Sequence, residues 1–145
     1  MIIDTIIKRG ISGFQVVKCP EGLDIKQRNA WVNSQVNLSA YFELHLDSAT
    51  PQATGCCVYY VGGNEWAKGE AIQYQRAYTT VTGLQSRGVK ADTTNRWGRL
   101  GAIRDNNVFS LLMELGFISN SDDLRIIREK GIDGIISGIR NMFAK

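Results

Sequence analysis

Residues 108–119 read "VFSLLMELGFIS" and carry the clearest fold signal in the chain. Nearly all of them are apolar, which is typical of a strand buried on both faces of a sheet. The predicted strands before it cover 14–18, 40–46, 56–62 and about 100–104, and the predicted helices cover 1–9, 23–37 and 64–88, with a polar surface loop at 89–99. Asp24 is a possible N-cap of the 23–37 helix, and two further helices follow a capping residue, Asn120 or Ser121. This alternation predicts a single α/β domain over 1–145, with a mostly parallel twisted sheet and helices on both faces.

The composition is that of a folded globular protein. The chain has 145 residues, 43% hydrophobic and 21% charged, with a net charge of +3. Lysines and arginines are spread along the chain, so nothing indicates nucleic-acid binding, although the mild positive charge suits an anionic polymer such as a cell wall. Cys19, Cys56 and Cys57 show no disulfide pattern and are expected to be reduced.

The start of the chain, "MIIDTIIKRGISGF", does not have the pattern of a secretory signal. Asp4, Lys8 and Arg9 interrupt its apolar residues, and no small-residue cleavage site follows. No stretch approaches the length of a membrane span. We therefore expect a chain that is cytoplasmic when made, with neither a membrane nor a nucleic acid as partner.

The single histidine lies in a predicted strand, "YFELHLDSA" (41–49). Side chains two residues apart on a strand share a face, so Glu43, His45 and Asp47 point the same way. Such a face is either part of a metal site, with the two carboxylates as possible ligands, or a structural histidine beside two acids.

Two charged residues in apolar surroundings are further candidates. Glu114 lies within "LLMELGF", where burial would raise its pKa and suit a general base; it could equally reach solvent at the end of its strand. Arg104, on a predicted short strand, is either a surface charge or a group that neutralises an oxyanion.

The order of five segments resembles the zinc-dependent N-acetylmuramoyl-L-alanine amidases of type 3, the amidase-3 family. The segments are "LDIKQRNAWVN" (23–33), "AYFELHLDSA" (40–49), "TGCCVYYV" (54–61), "LGAIRDNN" (100–107) and "LLMELGFISNSDDLRII" (111–127). The resemblance implies a phage lysin or bacterial autolysin that cleaves the amide between N-acetylmuramic acid and L-alanine in peptidoglycan, using zinc-activated water. It also implies peptidoglycan or a muropeptide as partner, with action at the cell wall after release or export.

The resemblance assigns roles to individual residues. His45 matches a histidine ligand of the zinc and Glu114 the catalytic glutamate, while Arg104 matches an arginine of the family pattern. Substrate contacts are expected from Asp47, Ser48 and Asn120, and Glu43 or Asp47 could substitute as ligands.

Two zinc ligands of the family have no counterpart in this sequence. The family carries them on a first strand and helix that would precede the segment aligned with residue 5, and His45 is the only histidine here. Two alternatives therefore stay open: an incomplete amidase-like remnant that binds peptidoglycan or regulates a partner, and an unrelated α/β binding domain. The absent strand should also expose a sheet edge and favour self-association.

Overall fold

The computed structural model describes residues 1–144 and contains a four-stranded sheet. Its strands are β1 (Ala40–Asp47), β2 (Cys56–Tyr60), β3 (Ser86–Ala91) and β4 (Phe109–Phe117). They lie in the order β1-β4-β2-β3, with β1 parallel to β4, β2 parallel to β3, and β2 antiparallel to β4. The expected mostly parallel α/β sheet is confirmed, with one antiparallel pair at its centre.

Helices cover both faces of this sheet. They are α1 (Ile2–Arg9), α2 (Ile25–Ser34), α3 (Glu65–Thr82), α4 (Gly101–Arg104), α5 (Ser121–Ile126) and α6 (Ile132–Met142), with a π-helical turn joining α5 to α6. The helices α3 and α6 pack together over one face, and α2 and α4 contact the other. No helix within residues 1–144 combines the length and apolar character needed to cross a bilayer.

The apolar stretch that predicted the fold forms the buried centre. On the α3 and α6 side, Leu111, Met113 and Leu115 of β4 are almost fully buried with Tyr74 and Tyr78 of α3. Burying each such side chain contributes roughly 1.5–3 kcal/mol, so β4 anchors the domain. The alternate residues of β4 face the opposite side, where the candidate site lies.

Two helix starts agree with their predicted caps. The Asp24 side chain accepts a hydrogen bond from the Gln27 amide and begins α2. Asn120 caps α5 by accepting from the amides of Asp122 and Asp123. Each cap satisfies backbone donors that a helix leaves unpaired in its first turn.

Three predicted elements are wrong. Residues 14–18 form no strand, since the region has only one bridge, between Ile11 and Phe14. The helix predicted over 64–88 ends at Thr82, because Gly83 adopts a left-handed conformation with φ 75°. The strand β3 then pairs with β2 and includes residues 89–91, the start of the predicted 89–99 loop. The predicted strand near 100–104 is the single helical turn α4, because a short apolar run fits either structure until a neighbour decides it.

Candidate active site

His45 and Glu114 lie side by side on neighbouring strands. They occupy paired positions of the parallel β1–β4 ladder, and the His45 Nδ1 atom lies 4.0 Å from Glu114 Oε1. Both side chains are near the carboxyl ends of their strands, where ligands bind in open α/β sheets. The structure thus brings together the histidine and the glutamate to which the resemblance assigns roles in one site.

Glu43 is held by three neighbours. Its Oε1 atom accepts hydrogen bonds from Arg28 Nη2 at 2.9 Å and from His45 Nε2 at 3.2 Å, and its Oε2 accepts one from the Tyr41 hydroxyl. Burial alone would raise the pKa of Glu43, but the hydrogen bonds from His45 and Tyr41 and the charge of Arg28 outweigh it and lower that pKa. Glu43 is therefore a buried, ionised carboxylate that orients His45.

His45 is placed to carry a positive charge. The hydrogen bond to Glu43 raises the pKa of His45 above its usual value, and the charges of Glu43 and Glu114 add to this; burial and Arg28 oppose it. Because Nε2 is engaged by Glu43, Nδ1 is the ring nitrogen that faces Glu114. The side chain remains 44% exposed, so a bound molecule can reach it.

Glu114 has the environment expected of a proton-transfer group. Burial raises the pKa of Glu114 and the nearby charge of Asp47 adds to this, while His45 and Arg87 oppose it. The side chain is 15% exposed, and its buried Oε2 atom has no hydrogen-bond partner. A carboxyl group with one unengaged oxygen beside a histidine can accept and return a proton.

Of the predicted substrate-binding residues, Asp47 is the last residue of β1, while Ser48 and Asn120 lie in the two adjacent loops after β1 and β4. The Ile118 amide donates to the Asp47 carbonyl, and the Ala49 amide donates to Ser119 Oγ, which holds the loops together. Ser48 is exposed in the first loop. Asn120, in the second, uses its side chain to cap α5 and to donate to the Pro51 carbonyl, so its amide group is already engaged.

Arg104 lies away from this pair of residues. Its guanidinium donates to both oxygens of the buried Asp92, at 2.6 and 2.7 Å, and lies 3.4 Å from the Gly62 carbonyl oxygen. Gly62 follows the carboxyl end of β2, whereas Cys57, which pairs with Glu114, lies at the amino end of that strand. Arg104 therefore locks a loop in place, and the structure does not bring it together with His45 and Glu114.

Three residues that contact the acidic side chains of this site were not predicted from the sequence. Tyr41 and Arg28 bind Glu43, and Arg87 donates to Asp47 Oδ2 at 3.0 Å while its guanidinium lies over the Phe117 ring. Tyr41 could have been found, because it shares the strand face of Glu43. Arg87 carried no signal, since it falls where a helix was predicted.

The residues of this site do not fit a catalytic zinc. Such a zinc needs three protein ligands and an open fourth position. Within residues 1–144, no three histidine, cysteine, aspartate or glutamate side chains are arranged to hold a metal ion. Of the possible substitutes, Glu43 already binds three protein groups and Asp47 binds Arg87, so His45 is left as a single ligand.

Comparison with known proteins identifies the family. A family model described as N-acetylmuramoyl-L-alanine amidase, amidase-3, matches residues 4–141. The probable cell wall amidase LytH of Staphylococcus saprophyticus is 30% identical over 112 residues, which are 73% of this chain and 36% of that relative. The chain thus spans about a third of the length of this curated relative.

Solved amidase structures share the fold. The catalytic domain of an endolysin that targets Clostridia difficile is 25% identical, with a TM-score of 0.74, covering 99% of this chain and 78% of that one. The amidase AmiC2 of Nostoc punctiforme is 19% identical, with a TM-score of 0.78, covering 99% and 79%. With the family model covering nearly the whole chain, the protein belongs to the amidase-3 family of N-acetylmuramoyl-L-alanine amidases.

Proposed function

We propose that this chain hydrolyses the amide between N-acetylmuramic acid and L-alanine in peptidoglycan, at the cell wall after release or export. Family membership supports the reaction class. The observation that carries the proposal is the juxtaposition of His45 and Glu114, 4.0 Å apart at the carboxyl end of two parallel strands. The mildly basic chain also suits an anionic wall polymer.

Glu114 and His45 divide the chemistry. Glu114 takes a proton from the water whose oxygen bonds to the amide carbon, and it returns that proton to the nitrogen as the carbon–nitrogen bond breaks. His45, held by Glu43, places its Nδ1 beside Glu114 and stabilises the negative charge that develops on the carbonyl oxygen. In this proposal the exposed Ser48, in the loop directly after β1, contacts the substrate.

The family resemblance implies zinc as a cofactor, and His45 would be the residue that holds it. The described residues do not complete a ligand set, so the steps above use only the side chains of this chain.

The alternative reading, an incomplete amidase-like remnant that only binds peptidoglycan or regulates a partner, is not favoured by any of the comparisons. The two readings differ in one measurable respect, which is whether new amino termini appear. A remnant would bind the wall polymer and leave its amide bonds intact.

The test incubates the chain with purified peptidoglycan, with and without added Zn²⁺, and measures the free L-alanine amino groups that are released. Reducing sugar ends serve as an internal control, because an amidase leaves glycosidic bonds intact. Glu114→Gln should lower the release at least about 100-fold, the usual contribution of a positioned acid–base group. Glu65→Gln, an exposed glutamate of α3, should release as much as the unaltered chain.

Two results would contradict the proposal. One is an unaltered chain that releases no L-alanine amino groups under either condition. The other is a Glu114→Gln variant as active as the unaltered chain, which would place the proton transfer elsewhere.

A further inference from the structure

The sheet face that carries the candidate active site continues from β4 onto β2 and β3. Cys57 of β2 pairs with Glu114, and Tyr59, two residues further along β2, pairs with Lys90 of β3. Residues paired across neighbouring strands share a face, and side chains two residues apart on one strand share it too. These four side chains therefore lie on the same side of the sheet.

The surroundings of Tyr59 and Lys90 agree with this placement. The residues that flank them in sequence face the other way, in or against the core cluster beside α3 and α6; they are Val58, Tyr60, Val89 and Ala91. Burial raises the pKa of the Cys57 thiol, and the positive charges of Arg87 and Lys90 oppose this rise. The charge of Lys90 thus acts on the thiol that adjoins Glu114.

Lys90 carries a positive charge that no carboxylate neutralises. The other partly buried lysines, Lys18 and Lys68, form ion pairs with neighbouring carboxylates. The remaining lysines of residues 1–144 are exposed, and they are Lys8, Lys26 and Lys130. Among the described lysines, Lys90 therefore combines partial burial with the absence of an ion pair. An ammonium group in such a position attracts an anion more strongly than a fully hydrated one, because water screens it less.

Tyr59 places a second donor beside this charge. Its ring is partly exposed, and its hydroxyl bonds to no other residue in the described part of the chain. An ammonium group donates up to three hydrogen bonds and a phenol donates one. Two adjacent donors, one of them charged, suit the two oxygens of a carboxylate.

We infer that Lys90 and Tyr59 bind a carboxylate of the peptide that follows L-alanine, and so select substrates by the charge of that peptide. This inference rests on the proposed hydrolysis. From strand spacings, the Cα atoms of Glu114 and Lys90 are about 12 Å apart. Two extended residues span about 7 Å, and the flexible four-carbon stem of lysine covers the rest. A carboxylate one residue beyond L-alanine is therefore within reach.

The charges of this face also give the bound peptide a direction. Two cations of the face are already engaged by carboxylates of the chain, in the ion pairs Arg28–Glu43 and Arg87–Asp47. A substrate carboxylate is repelled by Glu114 when that group is ionised, and it is attracted by Lys90. The peptide therefore runs from the scissile amide across β2 towards β3.

The test compares two probes that differ in one charge, N-acetylmuramoyl-L-alanyl-D-alanine and its C-terminal amide. Binding is measured by isothermal titration calorimetry on Glu114→Gln, in which the scissile amide is expected to stay intact. The carboxylate probe should bind at least about tenfold more tightly, the effect of a hydrogen bond to a charged group. On the unaltered chain, kcat/KM should show the same preference.

Substitutions at the subsite should change the response to charge alone. In the same Glu114→Gln background, Lys90→Gln should bind the two probes equally, with its affinity for the amide probe unchanged, and Lys90→Glu should prefer the amide probe. Tyr59→Phe should weaken the carboxylate probe about threefold. Lys130→Gln, at an exposed lysine between α5 and α6, should keep the full preference. A purely structural role of Lys90 would change the affinities for both probes alike.

Three results would overturn the inference. They are no binding of the carboxylate probe, equal binding of the two probes, and a Lys90→Gln variant that keeps the preference. Peptidoglycan hydrolysis with equal binding of the probes would reject this subsite and leave the proposed function standing. A charge preference that depends on Lys90, in a chain that releases no L-alanine amino groups, would support the subsite and reject the proposed function.

Discussion

At the scale of single residues, His45 lies between two carboxylates with different roles. Glu43 is buried, ionised and bound to Arg28, Tyr41 and His45, whereas Glu114 keeps one oxygen without a partner. Glu43 therefore orients the imidazole, and Glu114 is free to exchange a proton. Because Glu43 is already engaged by these partners, the site offers a zinc ion one ligand, His45, rather than three.

Zinc should bind this chain weakly. His45 offers one ligand nitrogen, which binds a metal only after the imidazole loses a proton, and recruiting Glu43 would break its contacts with Arg28 and Tyr41. After incubation with Zn²⁺ and gel filtration, the unaltered chain and His45→Ala should retain equally little metal by elemental analysis. One equivalent of zinc retained by the unaltered chain and lost from His45→Ala would contradict this prediction.

Replacing Glu43 should destabilise the fold. Glu43→Gln keeps the shape of the side chain but leaves the largely buried Arg28 without its counter-charge, at a cost of about 2–4 kcal/mol. Urea unfolding followed by circular dichroism measures the loss. Glu21→Gln removes the exposed partner of Lys18, where solvent screens the ion pair, and should cost much less than Glu43→Gln. Equal effects of the two substitutions would show that the Glu43 cluster is not a stabilising centre.

At the scale of secondary-structure elements, close packing of α6 on α3 supports the sheet from one side. Gly134 and Gly138 of α6 lie against the rings of Tyr78 and Tyr74, and these two rings stack with centroids 5.8 Å apart. Glycine lets the two helices approach closely at these positions. On the other face, the Asp92–Arg104 pair ties the loop after β3 to α4 and to Gly62 after β2.

A methyl group at Gly138 should destabilise this helix pair. In Gly138→Ala the new Cβ would overlap the Tyr74 ring, which is fully buried and has no room to move, at a cost of about 1–3 kcal/mol. Gly69→Ala, in α3, meets no atom within 4 Å and should stabilise by about 0.5–1 kcal/mol through helix propensity. Thermal unfolding of both variants measures this, and a more stable Gly138→Ala would contradict the packing argument.

The Asp92–Arg104 pair should make the stability of the fold depend on pH in the acidic range. Burial raises the pKa of Asp92, but hydrogen bonds from Arg104, Gly62 and Leu100 outweigh it and lower the pKa from 3.8 to about 2. Because the folded pKa lies below the ordinary one, the ionised carboxylate contributes its full stability above about pH 4 and loses it as the pH falls towards 2.

Asp92→Asn isolates this contribution. The variant should be less stable than the unaltered chain near neutral pH, and the difference in free energy of unfolding should shrink between about pH 4 and pH 2. Asp122→Asn, at an exposed aspartate, controls for general acid effects. A difference that stays constant across this range would show that Asp92 does not titrate with a lowered pKa.

At the scale of the whole molecule, the sheet has a strongly buried centre and two edge strands. β4 is paired on both sides and buried, while β3 forms one edge and β1 the other. One apolar cluster joins β2 and β4 to α3 and α6. The candidate active site lies on the face opposite this cluster, so that substrate contact and core packing use different sides of the same strands.

Hydrogen exchange should follow this architecture. The β4 amides should exchange slowest, because their ladder bonds break only when the sheet opens, while alternate β1 amides on the outer edge should exchange faster than their neighbours. Exchange measured residue by residue by NMR tests this. Uniform protection along β1, equal to that of β4, would mean that the edge is paired.

The sequence was sufficient for the fold class and for the family. A run such as 108–119 predicts a strand buried on both faces because apolar character belongs to the residues themselves. Cap residues were also predictable, because Asp24 and Asn120 bind amides only two or three residues further along the chain. The ordered motifs around His45 and Glu114 identified the family, which the family comparison confirmed.

Tertiary structure alone decided which groups meet. Residues 14–18 and 100–104 have strand-like composition, but a strand exists only where a neighbour completes its hydrogen bonds, and neither segment has such a neighbour within residues 1–144. Glu43 looked like a metal ligand until Arg28 and Tyr41 proved to occupy its oxygens, and Arg104 looked catalytic until Asp92 proved to hold it. The sequence determined what each side chain can do, and contacts between residues distant in the chain determined which of those possibilities are used.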